Sequence, residues 1–266
     1  MAAGSMVYLM YHELELPGRP LCEKESGYVR YILSESDFRS QVLWLKNDGW
    51  QAMSVSRALK SPHNRAVAIT FDDGAETDLI AAAQVLQETG FLATFYVTVG
   101  LLGKRGYMSA AQLRALSSLG FEIGCHSMTH AYLSDLDSRG LRREVVEAKQ
   151  ELEQILGLPV EHFSCPGGRY DARARKLAQE AGYRSVATSR PHSNGPSSDR
   201  FALGRAAVMR DTALSEFQRL CRGQGLWKRQ LSGSLRETAK NVLGNFLYDR
   251  FRAILLRNAP DEPNSG

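Results

Sequence analysis

Ala66-Val67-Ala68-Ile69-Thr70-Phe71-Asp72-Asp73-Gly74 is the stretch on which the reading of this chain turns. Its apolar first half reads as a buried strand, and two adjacent acids sit where that strand ends. Neighbouring carboxylates shielded from water repel each other, and both would not stay ionised. A bound cation resolves the conflict, because one Asp can ligate it while the other serves as a base beside it. Taken alone, Asp-Asp-Gly is equally a turn, since Asp and Gly are common turn formers.

Further along stands His126-Ser127-Met128-Thr129-His130. Two imidazoles at i and i+4 can reach one point in space. Asp73, His126 and His130 together offer three ligands and leave a position open for water. That is the pattern of a catalytic rather than a structural zinc site.

Apolar strand-like runs alternate with helical patterns, which points to an α/β fold with a largely parallel sheet. The runs are Val7 to Tyr11, Ala66 to Phe71, Ala93 to Val99, Phe121 to Cys125, Val160 to Ser164, Arg184 to Thr188 and Phe201 to Arg205. Between them, helices are expected from Ser36 as N-cap to Gly49, from Thr77 to Gly90, and from Ser109 to Gly120. Two more are expected from Ser138 to Leu156 and over residues 172–181. Glu13 to Tyr28 reads as a polar loop. His12, Asp72-Asp73, His126 and Pro166-Gly167-Gly168 each follow a strand-like run directly. Parallel strands would bring all four to one rim, where barrel enzymes place their chemistry. The glycines of Ser164-Cys165-Pro166-Gly167-Gly168-Arg169-Tyr170 would let a backbone N–H approach a substrate oxygen, or form a plain tight turn. His63, His162 and His192 have no partners in sequence and read as surface residues.

At 266 residues, one large domain is as reasonable as two. Thirty-three basic and 29 acidic side chains leave a net charge of +4, without the dense basic stripe that nucleic acid requires. Cys22, Cys125, Cys165 and Cys221 form no CxxC pair, so reduced thiols are expected. No stretch approaches the roughly 18 apolar residues of a membrane span. Met1 to Met10 lacks the features of a signal peptide, which makes the cytoplasm the default location.

Residues 1–225 are read as the barrel-type domain, and 226–266 as a helical extension with a flexible tail. Leu235, Val242, Leu243, Phe246, Leu247, Phe251, Ile254 and Leu255 fall on one helical face, with Arg250, Arg252 and Arg257 beside it. Packing on the domain, dimerisation and contact with a membrane surface all suit such a helix.

Thr70 to Gly74 and His126 to His130 resemble the first two motifs of the polysaccharide deacetylases, the carbohydrate esterases related to the nodulation-factor deacetylase. Ala93-Thr94-Phe95-Tyr96-Val97 is similar to the family's intervening strand. The likeness spans about residues 5–210. It implies a distorted (β/α) barrel of about seven strands, to which the C-terminal amphipathic helix read from its periodicity is added. It further implies hydrolysis of N-acetyl groups on a hexosamine-containing glycan, with O-deacetylation or glycan binding without catalysis as alternatives. Asp72 would be the general base. Asp73, His126 and His130 would hold one divalent ion, zinc by default. Gly167 would face the oxyanion, and Pro166, Gly168 and Tyr170 would meet the substrate. The family's third motif, Arg-x-Pro-Tyr-Gly, is altered here: Ser164 stands at the arginine and Gly167 at the tyrosine. Leu203-Gly204-Arg205 lacks the late histidine that supplies the acid. Met10-Tyr11-His12 resembles the circularly permuted poly-β-1,6-N-acetylglucosamine deacetylase branch, which carries that histidine on its first strand. By this likeness His12 is the acid. Members of that branch are commonly exported.

Overall fold

The computed structural model describes residues 4–60 and 65–226. The helical extension expected beyond residue 226 lies outside the described residues, as does His63. Among those described, no helix is long and apolar enough to cross a membrane.

The chain opens with β1 (Val7–Tyr11) and β2 (Leu14–Glu15). A short helix α1 (Ser26–Val29) leads to β3 (Leu33–Ser34), which pairs only with β2. Helix α2 (Glu35–Asn47) follows, then β4 (Gln51–Met53), α3 (Val55–Lys60) and β5 (Ala66–Phe71). A π-turn runs into α4 (Ala83–Thr89), and β6 (Thr94–Val97) comes next. Then come α5 (Ala110–Ser118) and β7 (Glu122–Cys125). Helices α6 (Ser138–Arg142) and α7 (Ala148–Leu156) are joined by a π-helical turn, so the long helix expected there is one run. The chain continues through β8 (His162–Ser164), α8 (Ala172–Glu180), β9 (Ser185–Ala187), β10 (Ala206–Ala207) and α9 (Leu214–Cys221).

Strands run parallel in the order β10-β1-β5-β6-β7-β8-β9, with β4 also pairing β5. Leu203 bridges Ala187 in parallel, so the segment entering β10 meets β9 and curls the sheet towards closure. The expected distorted barrel is therefore the observed fold. Register places the strand ends level: Tyr11 lies opposite Phe71, Phe71 opposite Phe95, and Val97 opposite Cys125. Rings on these strands pack in the layer between sheet and helices, Phe71 stacking on Phe95 at 5.0 Å and on Tyr11 at 5.2 Å beside Phe38 of α2, while Tyr8, Ala68 and Tyr96 form a separate cluster on the other face.

Some local expectations shift by a few residues. Ser34, not Ser36, caps α2, its side chain accepting from Asp37 N–H. Thr77 does not cap the following helix; its hydroxyl accepts from Leu14 N–H, 3.2 Å away. The last strand lies at 206–207 instead of 201–205, because residues 200–202 form a 3₁₀ turn. Ser109 caps α5 with Gln112 answering, a full capping box.

Candidate active site

Each polar cluster is delivered by the ladder of its strand. Asp72 N–H bonds Tyr11 O at 3.0 Å, and His126 N–H bonds Val97 O at 2.8 Å. Asp72 and Asp73 thus meet His126 and His130 over the carboxyl ends of β1, β5, β6 and β7.

One donor atom each from Asp73, His126 and His130 lies within 4.8 Å of the other two. His126 Nε2 and His130 Nε2 both stand 3.5 Å from Asp73 Oδ1. That oxygen is buried and has no hydrogen-bond partner among the described residues. A buried, unpartnered carboxylate oxygen facing two imidazoles fits a cation. His126 Nδ1 lies 2.8 Å from Ser164 O, and a carbonyl can only accept. The ring proton is therefore on Nδ1, which leaves Nε2 free to ligate. Burial pushes the His126 imidazole down to about 4, against the pull of Asp72, so it is neutral near pH 7.

The backbone is strained here and nowhere else among the described residues. Asp73 (φ 79°), Ser127 (φ 70°) and His130 (φ 64°) are the non-glycine residues in left-handed geometry. Strain of this kind clusters at functional sites and persists only when its surroundings enforce it. Here Glu144 does so. Its carboxylate, buried between α6 and α7, accepts from Met128 N–H (3.0 Å), Thr129 N–H (2.8 Å) and the Thr129 hydroxyl (2.7 Å). The Ser127 hydroxyl accepts from His130 N–H at 3.0 Å.

Asp72 is gripped by Arg205. Nη1 donates to Oδ1 and Nη2 to Oδ2, each at 2.7 Å, and Arg205 is fully buried. The other guanidinium donors reach Thr188 O, Thr70 Oγ1 and Ser164 Oγ. Burial alone would raise the Asp72 pKa, but the guanidinium holds it well below the usual carboxylate range. The arginine missing beside Pro166 is thus supplied 41 residues beyond Ser164, and Ser164 is its hydrogen-bond partner. Sequence reading passed over Arg205. The available signal was a lone charge in the apolar run Phe201 to Val208, which when buried must find a partner.

A cleft of about 1710 Å³ opens above these groups, lined among others by His12, Asp72, Asp73, His126, His130 and Gly167. Tyr31, Tyr132 and the segment Arg19 to Tyr28 form further walls. Pro166, Gly168 and Tyr170, expected to meet substrate, do not line it. Pro166 is buried and Tyr170 packs against the core. Gly167 adopts φ 60°, and a Cβ there would come within 2.5 Å of the Tyr132 ring. The Arg169 guanidinium covers that ring at 4.2 Å.

His162, read as a surface residue, is buried at the opposite end of the barrel. Its Nδ1 pairs with Ser185 Oγ and its Nε2 with Ser56 Oγ, beside Glu122. All four cysteines are free.

The polysaccharide deacetylase profile matches residues 60–186. Over those residues, just under half of its length, the chain is similar to the polysaccharide deacetylase family. YxkH of Bacillus subtilis (strain 168), which carries a polysaccharide deacetylase description, is 26% identical over 180 residues. That alignment covers 65% of this chain and 64% of YxkH. A peptidoglycan-N-acetylglucosamine deacetylase of Bacillus cereus is 32% identical over 127 residues, covering 47% of this chain and 57% of that protein. The chain therefore spans less than two thirds of either relative. Among solved structures, the Streptococcus pyogenes deacetylase PplD superposes with a TM-score of 0.73 at 20% identity, covering 82% of this chain and 98% of its own. At that identity the likeness speaks for the fold.

Proposed function

We propose that this protein is a metal-dependent hydrolase that removes N-acetyl groups from a hexosamine-containing glycan. The convergence of Asp73, His126 and His130 beside an Arg205-locked Asp72 carries the reading. Binding a cation needs only the three ligands. The fourth group, a carboxylate held ionised at the same spot, suits a base and argues for catalysis over binding alone.

Asp73, His126 and His130 would hold the ion, with zinc the first choice for two imidazoles and a carboxylate. When bound, such an ion supplies Lewis acidity towards a carbonyl oxygen and towards water. Asp72 takes the proton from water as it attacks the acyl carbon. Arg205 keeps both Asp72 oxygens ionised and fixes their direction. The Gly167 N–H would stabilise the oxyanion. His12, which also lines the cleft, gives a proton to the departing amine. An amine leaves poorly without that proton, so the acid matters more for amides than for esters.

Acetate release from N-acetylglucosamine oligomers tests this. The expected result is turnover that a chelator abolishes and a divalent ion restores. Release from O-acetylated xylan with none from the N-acetyl oligomers would assign the site to esters. No release from either, with glycan binding unaffected by chelation, would overturn the hydrolase reading.

A further inference from the structure

We propose that Tyr31 is the positioning residue for His12, holding the imidazole by ring contact in place of a hydrogen bond. The inference rests on His12 being the acid of the proposed reaction.

The two site histidines are held differently. The Nδ1 of His126 is tied to Ser164 O. That of His12 is buried and has no hydrogen-bond partner among the described residues. No carboxylate or carbonyl there sets the rotation of the ring. With Nδ1 sealed, Nε2 is the nitrogen able to exchange a proton with the cleft. A ring hydrogen-bonded at neither nitrogen can turn about its side-chain torsions, and a proton donor must keep its direction to be effective.

Tyr31 supplies the missing restraint. Its ring centroid lies 4.9 Å from that of His12, with the planes tilted by 36°. This is within the contact range of interacting aromatic pairs. The ring is itself well anchored. Tyr31 N–H bonds Tyr28 O at 2.8 Å, and Ile32 N–H bonds Val29 O at 3.0 Å. Arg30 O accepts from Arg210 N–H at 2.9 Å. Ile32 is fully buried, and the next residue starts β3. Tyr31 therefore leaves a backbone fixed on both sides and joins His12 in the cleft wall. Its hydroxyl has no part in the contact, so the ring alone should suffice.

The test uses the full chain loaded with zinc and two substrates. One is an N-acetylglucosamine oligomer, whose amine must be protonated to leave. The other is 4-nitrophenyl acetate, whose phenolate leaves without a proton. Tyr31→Ala is expected to lower kcat on the oligomer by about ten- to a hundredfold. The 4-nitrophenyl acetate rate should stay within about twofold, since base and metal ligands are untouched, while KM for the oligomer is read separately because Tyr31 also lines the cleft. Tyr31→Phe should restore the parent rate on both. Should Tyr31→Ala fail to fold, Tyr31→Leu is expected to give the same split. Equal losses on both substrates, a loss confined to KM, or a Tyr31→Phe as impaired as Tyr31→Ala would overturn the proposal. His12→Ala runs alongside. If it is impaired on the oligomer and Tyr31→Ala is not, positioning by Tyr31 fails while the acid reading stands. If His12→Ala turns over the oligomer normally, both fail.

Discussion

Arg205 and Asp72, 133 residues apart in sequence, form a two-pronged ion pair sealed inside the barrel mouth. Each prong is 2.7 Å, and neither side chain is more than 3% exposed. Such a fork fixes the carboxylate plane as well as its charge. Replacing Arg205 with Ala strands a buried carboxylate, and is expected to cost about 3–5 kcal/mol in urea unfolding. Arg205→Lys keeps the charge without the fork. It should fold, yet lose roughly a hundredfold in acetate release as the base drifts from its line of attack. A lysine variant with parent turnover would show that the fork does not aim the base.

Glu144 touches neither the proposed ion nor the substrate, yet its three accepted hydrogen bonds shape the loop that presents His126 and His130. Glu144→Ala leaves the donors of a strained turn unsatisfied. Its zinc affinity, measured in competition with a chromophoric chelator, is expected to fall by about 10–100-fold. Unchanged affinity would mean that the turn holds its shape unaided.

Gly167 is required twice over, by its φ of 60° and by the Tyr132 ring lying where a Cβ would go. Gly167→Ala should cost about 1–2 kcal/mol from the left-handed backbone alone, with the clash in addition. Adding Tyr132→Ala removes the clash but not the backbone cost, so the double variant should recover part of the loss in urea midpoint. Recovery of none of it would place the strain elsewhere.

The barrel and its metal-type triad were legible because their signals are local. Asp72-Asp73 and His126 each stand directly after an apolar run, so strand polarity gathers them, and His130 follows four residues after His126. What escaped reading depends on distant partners or on very short elements. Arg205 acquires its role from residues far away in sequence, and its neighbourhood looked only like a motif lacking its histidine. β2, β3 and β10 are two residues long, too short for any periodicity. His162 begins a buried strand, and its partners Ser56 and Ser185 come from α3 and from the start of β9. Pro166 and Tyr170 flank a tight turn whose geometry sends Gly167, but not them, to the cleft wall.

The far end of the barrel predicts a pH dependence unrelated to catalysis. Burial would raise the Glu122 pKa, but His162 and hydrogen bonds from Ser56 and Thr94 outweigh it and hold the carboxyl down to about 2. The unfolded value is near 4.5. A depressed folded pKa gives stability that is full above the unfolded value and is lost as pH falls towards the folded one. Glu122→Gln should therefore lower the urea midpoint at pH 7, by roughly 1–3 kcal/mol. The gap should narrow steadily below about pH 4.5. An equal gap at pH 7 and pH 3 would contradict the assignment.

The division of labour between the paired acids is tested most directly by Asp72→Asn with two readouts, bound metal and acetate released. Asparagine keeps the shape of the side chain and removes the base. The expected protein binds one zinc per chain like the parent, and releases acetate from N-acetylglucosamine oligomers at least about a thousandfold more slowly. An Asp72→Asn protein that retains zinc and still turns over at the parent rate would contradict the account.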